Sequence, residues 1–229
     1  MSLFDKQADS YDAWYDTPTG KFIDEVETQL AFSMFKPEPG MKVLDVGCGT
    51  GNFSVKLAQQ GCQITGIDIS AEMLQIAREK ARRNPDLVME FKVMDFNQLD
   101  FDDASFDAAF SMTAFEFAQD PAHGYGEMFR VLKPGGQLLI GVISQDGDWG
   151  QYYLKKAQSD PDSVFNFFNL QSREQMEALD PDNLVASGEC LFVPHDYQAS
   201  LMNWDEETRL SKTEQGSFIC VLFKKTDRR

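Results

Sequence analysis

Three glycines at alternate positions, Gly47, Gly49 and Gly51, lie in Val43-Leu44-Asp45-Val46-Gly47-Cys48-Gly49-Thr50-Gly51-Asn52, between an apolar run and a segment of helical period. A glycine-rich turn from strand to helix lets backbone N–H groups approach a ligand in the crevice beyond the carboxyl ends of parallel strands. Asp68 follows 21 residues after Gly47, at the end of the next apolar run, Ile64-Thr65-Gly66-Ile67-Asp68-Ile69-Ser70. A carboxylate there can accept both hydroxyls of a ribose, or serve only as a helix-start acid favoured by the macrodipole. Asp95, beside Phe96, ends a further apolar run and reads as a ligand contact or as the opening of a turn. Glu116, between Phe115 and Phe117, reads as a substrate-facing base or as a solvated loop residue. His123 reads as surface; His195 reads as surface or structural, with a role as base the alternative. The glycine spacing separates nucleotide classes, because Asn52 occupies the place where a GxGxxG dinucleotide fingerprint needs its third glycine.

These residues need a scaffold, and from Met41 onward apolar runs alternate with helix-period segments, the pattern of a parallel sheet covered by helices on both faces. Strands are predicted at Lys42 to Val46, Gln63 to Ile67, Met89 to Met94, Phe106 to Ser111 and Gln137 to Ser144. Helices are predicted from Gly51 to Gln60, from Ala71 to Arg83 behind a Ser70 cap, and from Pro121 to Val131, the last ended by Lys133-Pro134-Gly135-Gly136. A polar, aromatic stretch from Trp149 to Phe168 leads to a short helix with a Ser172/Gln175 capping box. Glu189 to Pro194 and Ser217 to Lys224 are apolar enough for strands that close the sheet as an antiparallel pair. Before the sheet, Phe4, Tyr11, Trp14 and Tyr15 punctuate a polar segment. Those aromatics either pack permanently against a helix from Lys21 to Phe35 or form a lid, with Tyr11 and Tyr15 offering ring faces and hydroxyls.

The chain has 229 residues, 42% hydrophobic and 25% charged, which suits one folded catalytic unit. Its net charge of −16 repels a polyanion, so DNA and RNA are not expected partners. The basic concentrations, Arg78 to Arg83 and Lys224 to Arg229, read as plain surface. No basic n-region with an apolar core opens the chain and no apolar run suffices to span a bilayer, so a cytoplasmic location without membrane insertion is expected. Cys48, Cys62, Cys190 and Cys220 have neither CxxC spacing nor a nearby histidine pair; reduced thiols and no metal are expected.

Taken in order, VLDVGCGTGNFS, GIDIS, the acid of Val93-Met94-Asp95-Phe96, FDAAF, and Glu127 to Gly136 resemble class I S-adenosylmethionine-dependent methyltransferases of the broad group that includes quinone-biosynthesis C-methyltransferases. The resemblance covers roughly Met41 to Ser144, with a weaker similarity over Phe4 to Asp12, and fades beyond Trp149. It implies S-adenosylmethionine as cofactor and methyl transfer to a small-molecule acceptor. It places Asp45 and Gly47 near the methionine part, Asp68 at the ribose hydroxyls, Asp95 at the adenine amino group with Phe96 beside the ring, and the backbone of Ser111, Met112 and Thr113 at the methionine end, with Cys48, Gly49, Gly51 and Ile69 also among the cofactor-binding residues. The family often has a histidine after the fourth strand; Thr113-Ala114-Phe115-Glu116-Phe117 stands there instead. That leaves Glu116, Tyr11 and Tyr15 as the catalytic candidates. The expected fold is α/β: Rossmann-like, doubly wound, a mostly parallel seven-stranded sheet with helices on both faces and an antiparallel final strand. Residues 1–35 are expected to be a helical cap or lid, 41–144 the cofactor-binding core, and 145–229 a variable substrate-side region with the final strands. A regulator or scaffold that binds the cofactor without turnover, and an NAD(P)-dependent oxidoreductase, are the alternatives. The acceptor atom and the oligomeric state are not selected.

Overall fold

The computed structural model describes residues 4–226 apart from 6 and 162, so the last three residues of the basic tail lie outside the described part. Strands β1 (Lys42–Val46), β2 (Gln63–Asp68), β3 (Met89–Val93), β4 (Phe106–Met112), β5 (Leu132–Ile143), β6 (Leu184–Cys190) and β7 (Phe218–Lys224) form one sheet in the order β3-β2-β1-β4-β5-β7-β6. The pairs β1–β2, β2–β3, β1–β4 and β4–β5 are parallel, and β7 runs antiparallel to both β5 and β6.

Strands buried on both faces read as continuous apolar runs, because successive side chains point to opposite sides and both sides need partners. Val43, Ile64, Phe110 and Leu139 therefore face one core, with Val26 of α2 (Pro18–Met34), Leu57 of α3 (Asn52–Gln59) and Trp149 of α6 (Asp148–Ser159). Leu44, Ile67, Leu138 and Ile140 face the other, with Met128 of α5 (Pro121–Arg130) and Met176 of α7 (Arg173–Glu177). Local chemistry starts the helices where expected. Ser70 Oγ accepts from Met73 N to cap α4 (Ala71–Arg83), and Ser172 and Gln175 form the capping box of α7. At α2, Thr17 accepts from Gly20 N and Pro18 fills the first turn, so the helix begins three residues before Lys21.

Two expectations are corrected. Lys133-Pro134-Gly135-Gly136 does not lie between helix and strand but forms the first part of β5: α5 stops at Arg130 and the ladder begins at Leu132 opposite Phe106, with a register shift before Ala108. That shift accommodates the left-handed Gly135, whose N–H donates to Lys225 O at 2.7 Å. The strand expected at Glu189 to Pro194 instead spans Leu184–Cys190, because pairing with β7 overrides the weak strand propensity of Ala186-Ser187-Gly188. Leu191, at φ 62°, turns the chain out of the sheet. Beyond it the buried Glu207, on α8 (Trp204–Leu210), accepts from the amides of Leu191, Phe192 and Val193 and replaces the missing ladder. Among the described residues no helix is long and apolar enough to cross a membrane.

Candidate active site

Numbering runs outward from β1 through β2 to β3 on one side and resumes at β4 on the other, so a topological switch point lies beyond the carboxyl ends of β1 and β4. The glycine turn fills it. Gly47, Gly49 and Gly51 have φ of 68°, 52° and 81°, left-handed values that L side chains rarely adopt. A Cβ on Gly47 would lie 2.2 Å from the Ala114 Cβ, so the turn abuts the loop after β4, whereas a Cβ on Gly49 would meet nothing within 4 Å. The open side of the turn is therefore at Gly49. Cys48 N donates to Ile67 O at 2.9 Å, which ties the turn to β2.

Asp68 closes the next strand end. Its Oδ2 accepts from Gly49 N at 2.9 Å and its Oδ1 from Ser70 N at 2.8 Å. Burial pushes its carboxyl up from the usual range, against the pull of the Ser70 and Gly49 amides. Ile69, next along, is half exposed. Asp45 lies deeper, at 2% exposure, and accepts from Ser54 Oγ at 2.5 Å, so it ties the first turn of α3 to β1. Burial raises its carboxyl to about 7.

Asp95 follows β3 and is exposed; one oxygen accepts from both Asn97 N and Asn97 Nδ2 at 2.8 Å, the turn use that the sequence left open. Phe96 packs on Phe115, with ring centroids 6.2 Å apart. Ser111 Oγ donates to Val46 O at 3.0 Å and Met112 is buried against the Gly141 position, so only backbone is available there. Thr113 is a β-branched residue at φ 52°, a strained conformation of the kind that collects at functional sites.

Over this floor lies α1 (Ala8–Tyr15), carrying the sequence's aromatic segment. Its Asp12 accepts from Thr50 Oγ1 at 2.7 Å and Asn52 Nδ2 at 3.2 Å and pairs with Lys80 at 2.7 Å. Asp5 accepts from Ser70 Oγ at 2.8 Å, and Phe4 packs edge-on against Phe117 at 4.8 Å. The segment thus spans the glycine turn and reaches the loop after β4. Beside it opens a cavity of about 680 Å³ bounded by α1, α2, the end of β4 and the aromatic stretch of α6, with Tyr11, Tyr15, Glu27, Thr113, Glu116 and Tyr153 among its walls.

Glu116 is 1% exposed, so the solvated-loop alternative is set aside, and burial raises its carboxyl to about 7. The Tyr11 and Tyr15 hydroxyls are 3.5 Å apart, and burial holds both above the ordinary phenol value. Neither histidine joins them. His123 meets Asn97 O at 2.8 Å on the surface; His195 Nδ1 lies 2.6 Å from Asp148 Oδ2, its ring stacked on Tyr152. Sequence reading missed Glu27 and Asp12. Glu27 was detectable as an acid four residues after buried Ile23 and four before buried Ala31, on the apolar stripe of α2.

Comparison with known proteins places this architecture. A family model described as a methyltransferase domain matches residues 44–140. An uncharacterised protein of Methanocaldococcus jannaschii is 32% identical over 160 residues, 69% of each chain. A ubiquinone biosynthesis O-methyltransferase of Klebsiella pneumoniae is 33% identical over 108 residues, 47% of this chain and 45% of that enzyme. In fold, a Thermotoga maritima S-adenosylmethionine-dependent methyltransferase, described as a possible histamine N-methyltransferase, superposes with a TM-score of 0.74 over 98% of this chain and 99% of its own, at 22% identity. The nicotinamide alternative has no such support. With the glycine turn, the strand-end acids and the sheet order in place, the chain belongs to the class I S-adenosylmethionine-dependent methyltransferases.

Proposed function

We propose that S-adenosylmethionine lies across the carboxyl ends of β1 to β4 and that its methyl group passes to a small molecule held in the aromatic cavity. The observation that carries this reading is the junction at Thr113 and Ala114: Ala114 abuts the glycine turn while Thr113 lines the cavity, so the two compartments share one wall. The residues fit the cofactor. Asp68 presents a carboxyl that can accept from a pair of ribose hydroxyls, and Gly49 leaves its side of the turn open. Ile69 would flank the ribose, Asp95 would meet the adenine amino group, and Phe96 would stand beside the ring. Asp45, Cys48 and Gly51 shape the turn, and the backbone at Ser111 to Thr113 meets the methionine end.

When bound, S-adenosylmethionine supplies an electrophilic methyl group on a sulfonium sulfur. The chain's own task is to align the acceptor with it and to exclude water, and positioning of this kind supplies several kcal/mol of a barrier. Tyr11 and Tyr15 are suited to orient the acceptor: their phenols stay protonated and their hydroxyls face the cavity with Thr113. The α1 segment acts as the lid, latched by Asp12. A net charge of −16 favours a small-molecule acceptor over nucleic acid. The test is transfer of labelled methyl from S-adenosylmethionine to a metabolite pool. Label recovered on a small molecule supports the reading; cofactor binding without transfer to any acceptor favours a regulator.

A further inference from the structure

The cavity contains chemistry that methyl transfer in general does not require. Glu116 Oε1 takes a long contact from Ile143 N, at 3.4 Å, and its Oε2 has no hydrogen-bond partner among the described residues. Glu27 reaches the same cavity from α2, is 6% exposed, and accepts no hydrogen bond among the described residues. Its nearest cation, Lys56, is committed to Asp24 and Thr28 at 2.5 and 2.7 Å. Burial makes both carboxyls costly to ionise and raises both, Glu27 well above the ordinary value, so a ligand that brings donors and positive charge is the one that favours their ionised form. The rest of the wall agrees: Tyr11, Tyr15 and Tyr153 line it with aromatic rings, whose π faces attract cations. An anionic acceptor brings neither a donor nor the positive charge that would let these carboxyls ionise. The cation of the wall, Lys156, is exposed and held over the rings of Phe165 and Tyr152, at 5.3 and 5.9 Å, with Asp160 also lining the cavity. A neutral hydroxyl brings one donor to two carboxylates.

We propose that the acceptor is a small primary or secondary amine, alkyl or arylalkyl, whose nitrogen is held by Glu27 and Glu116 beneath Tyr11 and Tyr15, and that the reaction is N-methylation. The proposal rests on the methyl-transfer reading above. Arriving as an ammonium, the amine gives one N–H proton to the Glu116 carboxylate, which frees the lone pair. That pair forms the N–CH3 bond as the CH3–S bond breaks; the bonding electrons stay on sulfur, which becomes a neutral thioether. The positive charge then resides on the methylated nitrogen, and Glu116 releases its proton to solvent.

Calorimetry on the full chain, saturated with S-adenosylhomocysteine, tests this with phenethylamine, 2-phenylethanol and 3-phenylpropionate, which differ chiefly in the polar group. Phenethylamine should bind at least tenfold more tightly than the alcohol, and the carboxylate should not bind. Glu27→Gln and Glu116→Gln, with circular dichroism matching wild type, should each weaken phenethylamine at least tenfold and leave S-adenosylhomocysteine affinity unchanged. Labelled methyl should appear on nitrogen. Equal or tighter binding of the alcohol or the acid overturns the proposal, as does wild-type amine affinity in both variants. So does failure of every amine from methylamine to tryptamine to bind while S-adenosylhomocysteine binds. If S-adenosylhomocysteine itself does not bind, the methyl-transfer reading fails and the proposal with it.

Discussion

The crevice proposed for the cofactor and the cavity proposed for the acceptor adjoin, yet they are built from different materials. In the crevice the ligand-facing groups are backbone amides, left-handed glycines and a carboxylate whose own oxygens are already fixed by Gly49 and Ser70. Their positions follow from the sheet, and little in them depends on which acceptor is used. In the cavity the walls are aromatic side chains from α1 and α6, and the polar groups include the buried carboxyls of Glu27 and Glu116, with Glu116 Oε2 left without a partner among the described residues. The crevice is preorganised with its hydrogen bonds made, and the cavity holds carboxyls that burial keeps from ionising until a partner brings donors and charge. Disturbing the first should abolish cofactor binding without regard to acceptor, and disturbing the second should change acceptor choice and pH behaviour with cofactor binding intact.

The largest effect is expected at Gly47. Gly47→Val must hold a β-branched residue at φ 68° and place its Cβ 2.2 Å from that of Ala114. Left-handed strain of about 1–2 kcal/mol plus overpacking of about 1–3 kcal/mol should remove S-adenosylhomocysteine binding and lower the thermal midpoint. Wild-type affinity in a folded Gly47→Val would break the comparison on the crevice side.

Next in size is the pH response of Glu116. Its folded carboxyl titrates at about 7, raised by burial, while the unfolded chain titrates near the usual glutamate value of about 4.3. Because the folded value is the higher, the contribution is fully present below the unfolded value and is lost as pH rises to about 7. Glu116→Gln removes that loss, and should stabilise the protein at pH 8 by on the order of 3–4 kcal/mol, with no gain at pH 4. Denaturant melts at both pH values measure it; equal gains, or none at pH 8, would mean that Glu116 carries no burial penalty.

How legible each region was in the sequence follows the same division. Gly47 to Gly51 are contiguous, and Asp68 ends the strand paired beside β1, so the crevice is written locally in strand, turn and helix signals. Asp12 acts through Thr50, 38 residues away, and no local pattern ties an acid in α1 to a glycine turn. Glu27 was hidden in a helix whose apolar stripe it interrupts. The aromatic flanks of Glu116 marked the residue, but whether they enclosed it depended on α6 and α1, which arrive from both ends of the chain. β6 was misplaced because Ala186-Ser187-Gly188 are strand residues only by virtue of β7 beside them.

The smallest effect concerns the lid. The Asp12–Lys80 pair is partly exposed, at 37% and 21%, so Asp12→Asn should loosen α1 by only ~0.5–1 kcal/mol. Hydrogen exchange of the α1 amides should be faster in Asp12→Asn than in wild type, and in wild type should slow when S-adenosylhomocysteine is added. Equal protection with and without S-adenosylhomocysteine would make α1 a permanent part of the fold.

The division between crevice and cavity is tested most directly by one calorimetric titration of S-adenosylhomocysteine into wild type, Asp68→Ala and Glu116→Gln, with NADH as control. The expected result is binding to wild type and Glu116→Gln alike, none of NADH, and a loss of about 1.5–3 kcal/mol in Asp68→Ala for hydrogen bonds to a charged group. Unchanged affinity in Asp68→Ala, or a loss in Glu116→Gln as large as that in Asp68→Ala, would contradict it.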